Sequence, residues 1–341
     1  MAQIDKPNTQ FNTVLYTGNG TSQSVTGTGF LSDLLWLKER DGADYHFLND
    51  TVRGIGTNGH YLNLHSNSTN GESNQTNGVN SINSNGFDIT YRGELNENGK
   101  TYVSWNWKAG GTAVSNTAGS ITSSVSANTT SGFSIVSYSG DGGSSSTVGH
   151  GLGAIPKMVI IKCRTSTPSW QVWGDGYTRL SLNNTDGDLA SYGMTRGVST
   201  FSLPSGVNDW NGSGLTYIAY CFAEKKGFSK FGSYVGNGSA DGTFVYTGFK
   251  PAFVLCKRSD ATSLYWFMFD NKRIGYNPAN YDLYPNVSEA ESGANRIDLL
   301  SNGFKIRSTS GNINPSGGTM IYMAFAENPL VGSNNIPTTA R

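Results

Sequence analysis

Short apolar runs separated by turn-forming residues recur along the whole chain. The run at residues 34–37 has no polar position, and comparable runs follow at 158–161 and 252–256. A short apolar run bounded by turn signals predicts a strand that is buried on both faces. Residues 101–107 instead alternate apolar and polar side chains after Tyr102, which predicts a strand with only one buried face.

These elements occur in the same order three times. Each copy opens with a strand that ends in a tyrosine and a glycine turn, at residues 16–20, 138–142 and 234–238. The Asn-Gly turns supply the positive φ that a tight hairpin requires. Each copy closes on a strand with Thr-Tyr or Ile-Tyr near its start, at 101–107, 216–222 and 321–327. The recurrence of the same elements in the same order, roughly 100 residues apart, indicates internal repeats of one structural unit.

Each copy spans roughly 100 residues, a common size for one β-sandwich. The sequence therefore predicts an all-β protein of three tandem antiparallel β-sandwich repeats of jelly-roll type. The predicted organisation is an N-terminal arm (1–10), a first repeat (11–111), a Gly/Ser/Thr linker (112–131), a second repeat (132–231), a third repeat (232–329) and a C-terminal tail (330–341). A linear array and a pseudo-threefold cluster of the repeats both fit the sequence.

The amino-acid composition supports the all-β class and indicates which kinds of partner to expect. Glycine accounts for 44 of 341 residues and charged residues for only 14%, while aromatics reach 12%. Many aromatics and turn formers with few charges favour strands over helices. The 24 basic residues equal the 24 acidic ones, so no charge excess predicts nucleic-acid binding. Low charge also gives little protection against self-association, which favours a homo-oligomer.

Targeting and redox signals are weak. The first residues have neither the basic nor the apolar segment of a secretory signal, so we expect synthesis in a cytoplasm without export. No apolar stretch approaches the roughly 18 residues of a membrane span, so no membrane insertion is expected. The cysteines are Cys163, Cys221 and Cys256, each in an apolar run. They are interpreted as core residues and not as a disulfide framework.

Candidate chemistry is sparse. His60 and His65 lie in an Asn/Gly-rich loop without a metal-binding motif, so a surface loop is the favoured interpretation. The loops around Asp175, Asp186 and Asp188 are rich in oxygen ligands, but they lack EF-hand spacing. We predict no catalytic, cofactor-binding or metal-binding residues, and no cofactor.

Exposed aromatic side chains could still stack on the apolar faces of sugar rings. Trp210 lies in a turn-rich loop of the second repeat, and Tyr276 and Tyr281 lie in the third. These three residues are the candidate contacts for a glycan or receptor. Trp170 and Trp173 are three positions apart, so on a strand they face opposite sides and at most one enters a given sandwich core.

The segments 11–20, 29–38, 50–54, 84–87 and 102–111, together with the ending at 326–329, resemble a β-rich module of structural proteins in marine tailed bacteriophages. The resemblance covers nearly the whole chain and includes no catalytic motif. The second repeat departs most, because it lacks the Asn-Gly-Phe step of 85–87 and the Asp-Thr-Val-Arg-Gly segment of 50–54. The resemblance implies a protein on the virion surface that assembles with other virion proteins in the host cytoplasm.

Three functions follow from these observations. The first is a non-enzymatic tail-fibre or adhesin-like component that attaches the particle to its host, with a host surface glycan as a candidate partner. The second is a capsid decoration or head-fibre protein. The third is a glycan-degrading tail-spike enzyme, which would more usually show a long β-helix repeat and an acidic cleft.

Overall fold

Strands dominate the computed structural model, which describes residues 2–273, 277 and 279–332. Strands make up 45% of the structure and helices 2%, and the sheets are antiparallel. The predicted all-β sandwich class is therefore confirmed. Within the described residues, no helix has the length and apolar character needed to cross a membrane.

The elements follow the chain in three groups. The first group is a 3-10 helix (Pro7–Thr9), β1 (Phe11–Thr17), β2 (Gln23–Thr26), β3 (Leu34–Glu39), β4 (Phe47–Asp50), β5 (Leu64–His65), β6 (Val79–Asn83), β7 (Gly86–Ile89), α1 (Gly93–Asn96) and β8 (Thr101–Trp107). The second is β9 (Val114–Asn116), β10 (Ser123–Asn128), β11 (Phe133–Ser139), β12 (Thr147–Gly149), β13 (Met158–Cys163), β14 (Gln171–Gly174), β15 (Tyr177–Ser181), β16 (Thr200–Ser202) and β17 (Thr216–Phe222). The third is β18 (Ser229–Val235), β19 (Phe244–Tyr246), β20 (Phe249–Arg258), β21 (Trp266–Asp270), β22 (Ala279–Asp282), β23 (Ser292–Leu300), β24 (Gly303–Ile306) and β25 (Thr319–Pro329).

One order of strands occurs in three sheets. The sheets contain β1-β8-β3-β4, β11-β17-β13-β14 and β18-β25-β20-β21, so each closing strand lies between an opening strand and an apolar strand. We call these the inner sheets. Their registers place Trp107, Phe222 and Phe325 at equivalent positions, opposite Leu34, Met158 and Phe253.

The register corrects the sequence alignment of the third closing strand. Met320 lies opposite Tyr234, just as Tyr102 lies opposite Tyr16 and Tyr217 opposite Tyr138. The alignment through Ile321-Tyr322 was wrong by two residues. The reason is that methionine replaces the tyrosine at this apolar position, and a nearby tyrosine imitates the missing signal.

A second sheet covers one face of each inner sheet. These outer sheets are β2-β7-β6, β12-β16 and β19-β24-β23-β22. The two faces enclose a separate apolar core in each repeat, which we call a sandwich core. Val25, Val148 and Val245 project into these cores from the equivalent strands β2, β12 and β19.

The opposite faces of the three inner sheets meet in one further cluster, the shared core. Its large aromatic members come from every repeat and include Trp36, Trp105, Trp107, Trp170, Tyr220, Phe222, Phe253, Trp266 and Phe325. At its centre, Trp107, Phe222 and Phe325 contact each other, with ring centroids 6.5, 5.7 and 5.9 Å apart. The repeats therefore form a closed cluster and not a linear array.

Burial on both sides explains two departures from the sequence analysis. β8 was predicted to have one exposed face, but Ser104 and Asn106 are fully buried and bonded to each other, with Ser104 Oγ donating to Asn106 Oδ1 at 3.1 Å. Trp170 and Trp173 are both buried because they point into different cores, the first into the shared core and the second into the sandwich core.

Residues 112–131, predicted as a linker, are built into the second repeat. β9 and β10 form a hairpin, and β10 pairs with β11 over six residues. The inner sheet of the second repeat therefore has seven strands. The three cysteines are free and buried, as their apolar context predicted.

The shared core provides a test of cooperativity. Replacing Phe222 with alanine (Phe222→Ala) removes one of the three rings that meet at the centre of the shared core. We expect it to lower the free energy of unfolding by about 3–5 kcal/mol. Calorimetry and urea unfolding followed by tryptophan fluorescence should show one transition shifted as a whole, because all repeats pack on this residue. The exposed Leu15→Ala is the control. Separate transitions, with only one displaced, would contradict a shared core.

Candidate interaction surface

A buried ionic network joins the second repeat to the first. Asp50 and Arg53 form an ion pair at 2.5 Å with both side chains inaccessible to water. Arg164 of the second repeat donates two hydrogen bonds of 2.9 Å to Glu72, which also lies 3.5 Å from Arg53. The Tyr220 hydroxyl donates to Asp50 Oδ2 at 2.8 Å. Every charge in this network therefore has a partner, as buried charges require.

A second network of the same composition joins the first repeat to the third. Asp270 pairs with Arg273 at 2.6 Å, and Glu291 accepts from Arg273 and from Arg40 of the first repeat at 3.1 and 2.8 Å. Trp105 Nε1 donates to Asp270 Oδ2 at 3.0 Å. Burial alone would raise the pKa of Asp270, but Arg273 and the amide hydrogen bonds lower it below its ordinary value. The Arg273 amide also donates to Asp270 Oδ1 at 2.9 Å, so the same carboxylate caps the turn that follows β21.

The third junction, between the third repeat and the second, is built differently. The register places Gly174 where the other repeats have Asp50 and Asp270, and Tyr177 follows at the position of the arginine. Met323 occupies the closing-strand position of Tyr220 and Trp105. Gly174 has no carboxylate to accept a hydrogen bond, and the Met323 side chain has no N–H or O–H to donate one. At this junction the acceptor and the donor are therefore both missing.

Three buried lysines occupy equivalent positions near the ends of the apolar strands. Lys38, Lys162 and Lys257 are completely inaccessible, and burial lowers the pKa of each to about 8. Lys162 Nζ donates to the carbonyl of Thr69 in the first repeat at 2.8 Å, and Lys257 Nζ donates to Thr185 in the second at 3.2 Å. Lys162 and Lys257 thus join neighbouring repeats through main-chain oxygens, whereas Lys38 Nζ donates to the carbonyls of Glu39 and Gly42 in its own repeat.

Most of the candidate metal-binding side chains are occupied by protein contacts. The expectation of a surface loop is wrong for His65, which is buried on β5, and Asp175 forms ion pairs with Lys157 and Arg196 at 2.7 and 2.9 Å. Asp188 accepts from the amides of residues 178 and 179. Within the described part of the chain, no group of three His, Cys, Asp or Glu side chains is arranged to hold a metal ion.

Trp210, predicted to be exposed, is only 1% exposed. Its loop folds back under the second sandwich, where the ring packs edge-on against Trp173 at 5.4 Å and Nε1 donates to Ser205 at 2.9 Å. The Arg179 guanidinium covers the ring at 5.2 Å. Turn-forming neighbours indicated a loop, but they could not show that the loop closes over the core. Trp210 is therefore not a surface contact.

Of the two tyrosines predicted as glycan or receptor contacts, the structure describes only Tyr281. Tyr281 is 41% exposed on β22, at the margin of the outer sheet of the third repeat, opposite Gly293. Tyr276 lies outside the described residues. Tyr281 is thus accessible to a ligand, and the structure does not bring it together with Trp210.

The third repeat has an apolar edge that the periodicity of the sequence does not reveal. Phe244 and Tyr246 flank the buried Val245 on β19, and they are 43% and 58% exposed. The corresponding strand of the first repeat, β2, carries the polar Ser24 and Thr26 around its buried valine. Comparing these positions among the repeats would have revealed the difference, since aromatic side chains at exposed edge positions are unusual.

A cleft of about 420 Å³ adjoins this edge. Its lining includes Tyr246, Gly248, Glu224, Lys230 of β18, Val331 and Ala2 of the N-terminal arm. Lys230 and Glu224 pair with each other at 2.8 Å, so the cleft carries little net charge. Val235, 56% exposed at the end of β18, extends the apolar surface beyond the cleft. We call Val235, Phe244, Tyr246 and this cleft the third-repeat edge.

Fold and surface together define a class of protein: a closed cluster of β-sandwiches with a shared aromatic core and one apolar edge. Residues 6–329 match the family described as a domain of unknown function, DUF7483, and the chain belongs to this family. No curated protein and no solved structure matches the chain.

The buried lysines predict a rise in stability at mildly alkaline pH. Their folded pKa of about 8 lies below the ordinary lysine value of 10.5, so between these values the unfolded chain binds more protons than the folded chain. From about pH 8 to about pH 9.5, the free energy of unfolding should rise by roughly 1 kcal/mol per pH unit for each lysine. Urea titrations across this range measure the slope.

Lys162→Met should remove one lysine's share of that slope, whereas the exposed Lys6→Met should leave it unchanged. A slope that is the same in both variants would show that Lys162 keeps its proton in the folded protein.

The ionic network at the junction of the first and third repeats predicts a large mutational effect. Asp270→Asn removes the nearer of the two carboxylates that pair with the buried Arg273 and leaves only Glu291, so we expect a loss of about 3–5 kcal/mol in unfolding free energy. The control is Asp241→Asn, which breaks an ion pair with Lys305 at an 80% exposed carboxylate and should have little effect. Equal effects of both substitutions would argue against the network as a clamp between repeats.

Proposed function

We propose that this chain is a non-enzymatic structural protein on the surface of a bacteriophage particle, where it acts as a tail-fibre or adhesin-like attachment component. The observation that carries this proposal is the closed cluster of three sandwiches. It is a rigid block in which both faces of every inner sheet are used for packing, while loops and outer sheets face outward. Such a block suits the presentation of surfaces, since binding residues are commonly held on loops by a rigid scaffold.

The resemblance to marine-phage virion modules supports the same function, because it extends over nearly the whole chain. The outward surface offers Tyr281 and the third-repeat edge as contact points. A host surface glycan could stack on Tyr281, and neighbouring virion proteins could pack on the edge. The chain would then act by shape and adhesion, as part of an assembly with other virion proteins and with further copies of itself.

A second candidate is a capsid decoration or head-fibre protein, and the arrangement of the repeats favours it. Three equivalent strand orders around one core give a single chain an approximate threefold shape. A body of this shape could sit on a threefold position of an icosahedral shell. The same shape could also cap a trimeric fibre, so location on the particle decides between the two candidates.

The test is to locate the chain on purified particles. Antibodies against the folded protein should label virions of the phage whose genome encodes it, and gold labelling should lie at the tail. Label on the icosahedral faces would favour decoration of the capsid instead. If density-purified particles lacked the chain while the soluble fraction of the lysate contained it, a virion function would be wrong. Antibodies blocked with excess pure protein provide the control.

A further inference from the structure

A polar cleft of about 410 Å³ lies where the first repeat meets the third, and we call it the junction cleft. The first repeat contributes Asp44 and Tyr45, from the loop between β3 and β4, and Glu94 of α1. The third repeat contributes Asn286 and Ser288, from the loop between β22 and β23. Sites for small ligands commonly have volumes of roughly 300–1,000 Å³. The junction cleft is therefore large enough for a small ligand.

An asparagine side chain caps the start of the same strand in every repeat. In each cap, the asparagine Oδ1 accepts from the amide of an aromatic residue at the beginning of β4, β14 or β21. The pairs are Asn67 with His46 at 3.1 Å, Asn183 with Trp170 at 2.7 Å and Asn286 with Trp266 at 3.0 Å. Because Oδ1 is used in the cap, Nδ2 is the group that remains to donate a hydrogen bond elsewhere.

The caps of the second and third repeats differ in what this Nδ2 group meets. Asn183 Nδ2 donates to Ser169 Oγ at 3.3 Å. In the third repeat Tyr265 replaces this serine, and its ring packs against Tyr284 at 5.2 Å. Asn286 is only 5% exposed, and among the described residues its Nδ2 has no hydrogen-bond partner. A buried donor without a partner is costly, so the junction cleft contains a donor that a ligand can satisfy.

Tyr45 brings an aromatic ring to the same cleft. It corresponds to Ser169 of the second repeat and is 45% exposed. His65 holds one side of the ring, with the two ring centroids 4.9 Å apart. A ring that is supported on one side and open to solvent elsewhere can stack on the apolar face of a sugar.

The two walls of the cleft are fixed before any ligand binds. Ser66 Oγ donates to the Pro285 carbonyl at 2.7 Å, directly beside the two caps Asn67 and Asn286. The Glu291 amide donates to the Arg40 carbonyl at 2.8 Å, in addition to the ion pair between their side chains. A preorganised site loses less conformational freedom on binding.

The polar groups of the cleft select among ligand classes. Asp44 and Glu94 disfavour an anion, and a metal cation cannot accept the N–H of Asn286. Glu94 already pairs with Arg92 at 3.1 Å, which weakens its attraction for a cation. A hydroxyl group can both accept from the amide and donate to a carboxylate. The cleft therefore fits a neutral ligand that has many hydroxyl groups and an apolar face.

We propose that the junction cleft binds a neutral saccharide. Tyr45 would stack on one sugar ring, the Asn286 amide would donate to a hydroxyl, and the carboxylates of Asp44 and Glu94 would accept from others. Tyr281 is a weaker candidate for the main contact, because Gly293 opposite it offers no side chain to a hydroxyl. Such binding would serve the attachment function proposed above, and it rests on that function for the source of the sugar.

The probe is a panel of neutral disaccharides of glucose, galactose, mannose and N-acetylglucosamine, titrated into the isotope-labelled intact protein. At least one should bind with a dissociation constant of roughly 0.1–10 mM and shift the NMR signal of the Asn286 side-chain amide. Tyr45→Ala should weaken binding at least about fivefold, whereas Tyr45→Phe keeps the ring and should stay within about twofold of the wild type. Tyr281→Ala is the control for the outer-sheet tyrosine and should leave the affinity unchanged.

A second pair of variants tests the amide. Asn286→Asp keeps an acceptor for the Trp266 amide but removes the donor, so we expect binding to weaken at least about fivefold. Asn183→Asp is the matched control, since it alters the equivalent cap outside the cleft and should bind like the wild type. Because Tyr45 lies at the surface, Tyr45→Ala tests the cleft even if Asn286→Asp impairs folding.

Three results would overturn the saccharide site. They are the absence of saturable binding by every member of the panel up to about 50 mM, wild-type affinity in Tyr45→Ala or Asn286→Asp, and a shift of the Asn286 signal by calcium chloride but by no saccharide. The last result would indicate a cation site. The position of the chain on particles is measured separately. A virion protein that bound no saccharide would refute only the cleft site, and saccharide binding by a chain absent from particles would refute only the virion function.

Discussion

The burial of each inner sheet on both faces is the constraint on which the rest of the structure depends. An outer sheet covers one face, but the other face carries large aromatic side chains such as Trp105, Tyr220 and Phe325, which no single repeat can remove from water. Two repeats would leave part of this surface exposed, whereas three close the cluster. The shared core is therefore a property of the whole chain, and each sandwich depends on the other two for its inner face.

Closing the cluster also buries polar groups, and the junctions solve this problem in two ways. Two junctions contain an Asp-Arg-Glu-Arg network with a hydrogen-bond donor from the neighbouring closing strand. The third uses Gly174 and Met323 instead, and Trp266 Nε1 donates to the Ser181 carbonyl at 3.0 Å. Buried ion pairs often add less stability than apolar packing, but they accept few alternative arrangements. Two junctions contain such a network and the third does not, so the three repeats cannot exchange positions without leaving buried charges unpaired.

Sequence patterns predicted the strands, the antiparallel sandwich class and the double burial of residues 34–37, because these depend on local periodicity and turn residues. The same patterns failed where tertiary contacts decide. Ser104 and Asn106 look like an exposed face, yet they bond to each other inside the structure. Trp210 lies among turn formers but covers a core, and the third-repeat edge became visible only when equivalent positions could be compared. A surface site of this kind depends on what a neighbouring segment leaves uncovered, which periodicity does not record.

Approximate threefold order usually creates three equivalent surfaces, but here the edges differ. The arm at Asn8 approaches the first edge, β10 seals the second, and Phe244 and Tyr246 face outward on the third. The inner sheets cannot vary in this way, because a change at Trp107 or Phe325 affects all the repeats at once. The edges lie outside the shared core, so they can diverge at little cost to folding. The symmetry of the core and the asymmetry of the edges thus have one cause.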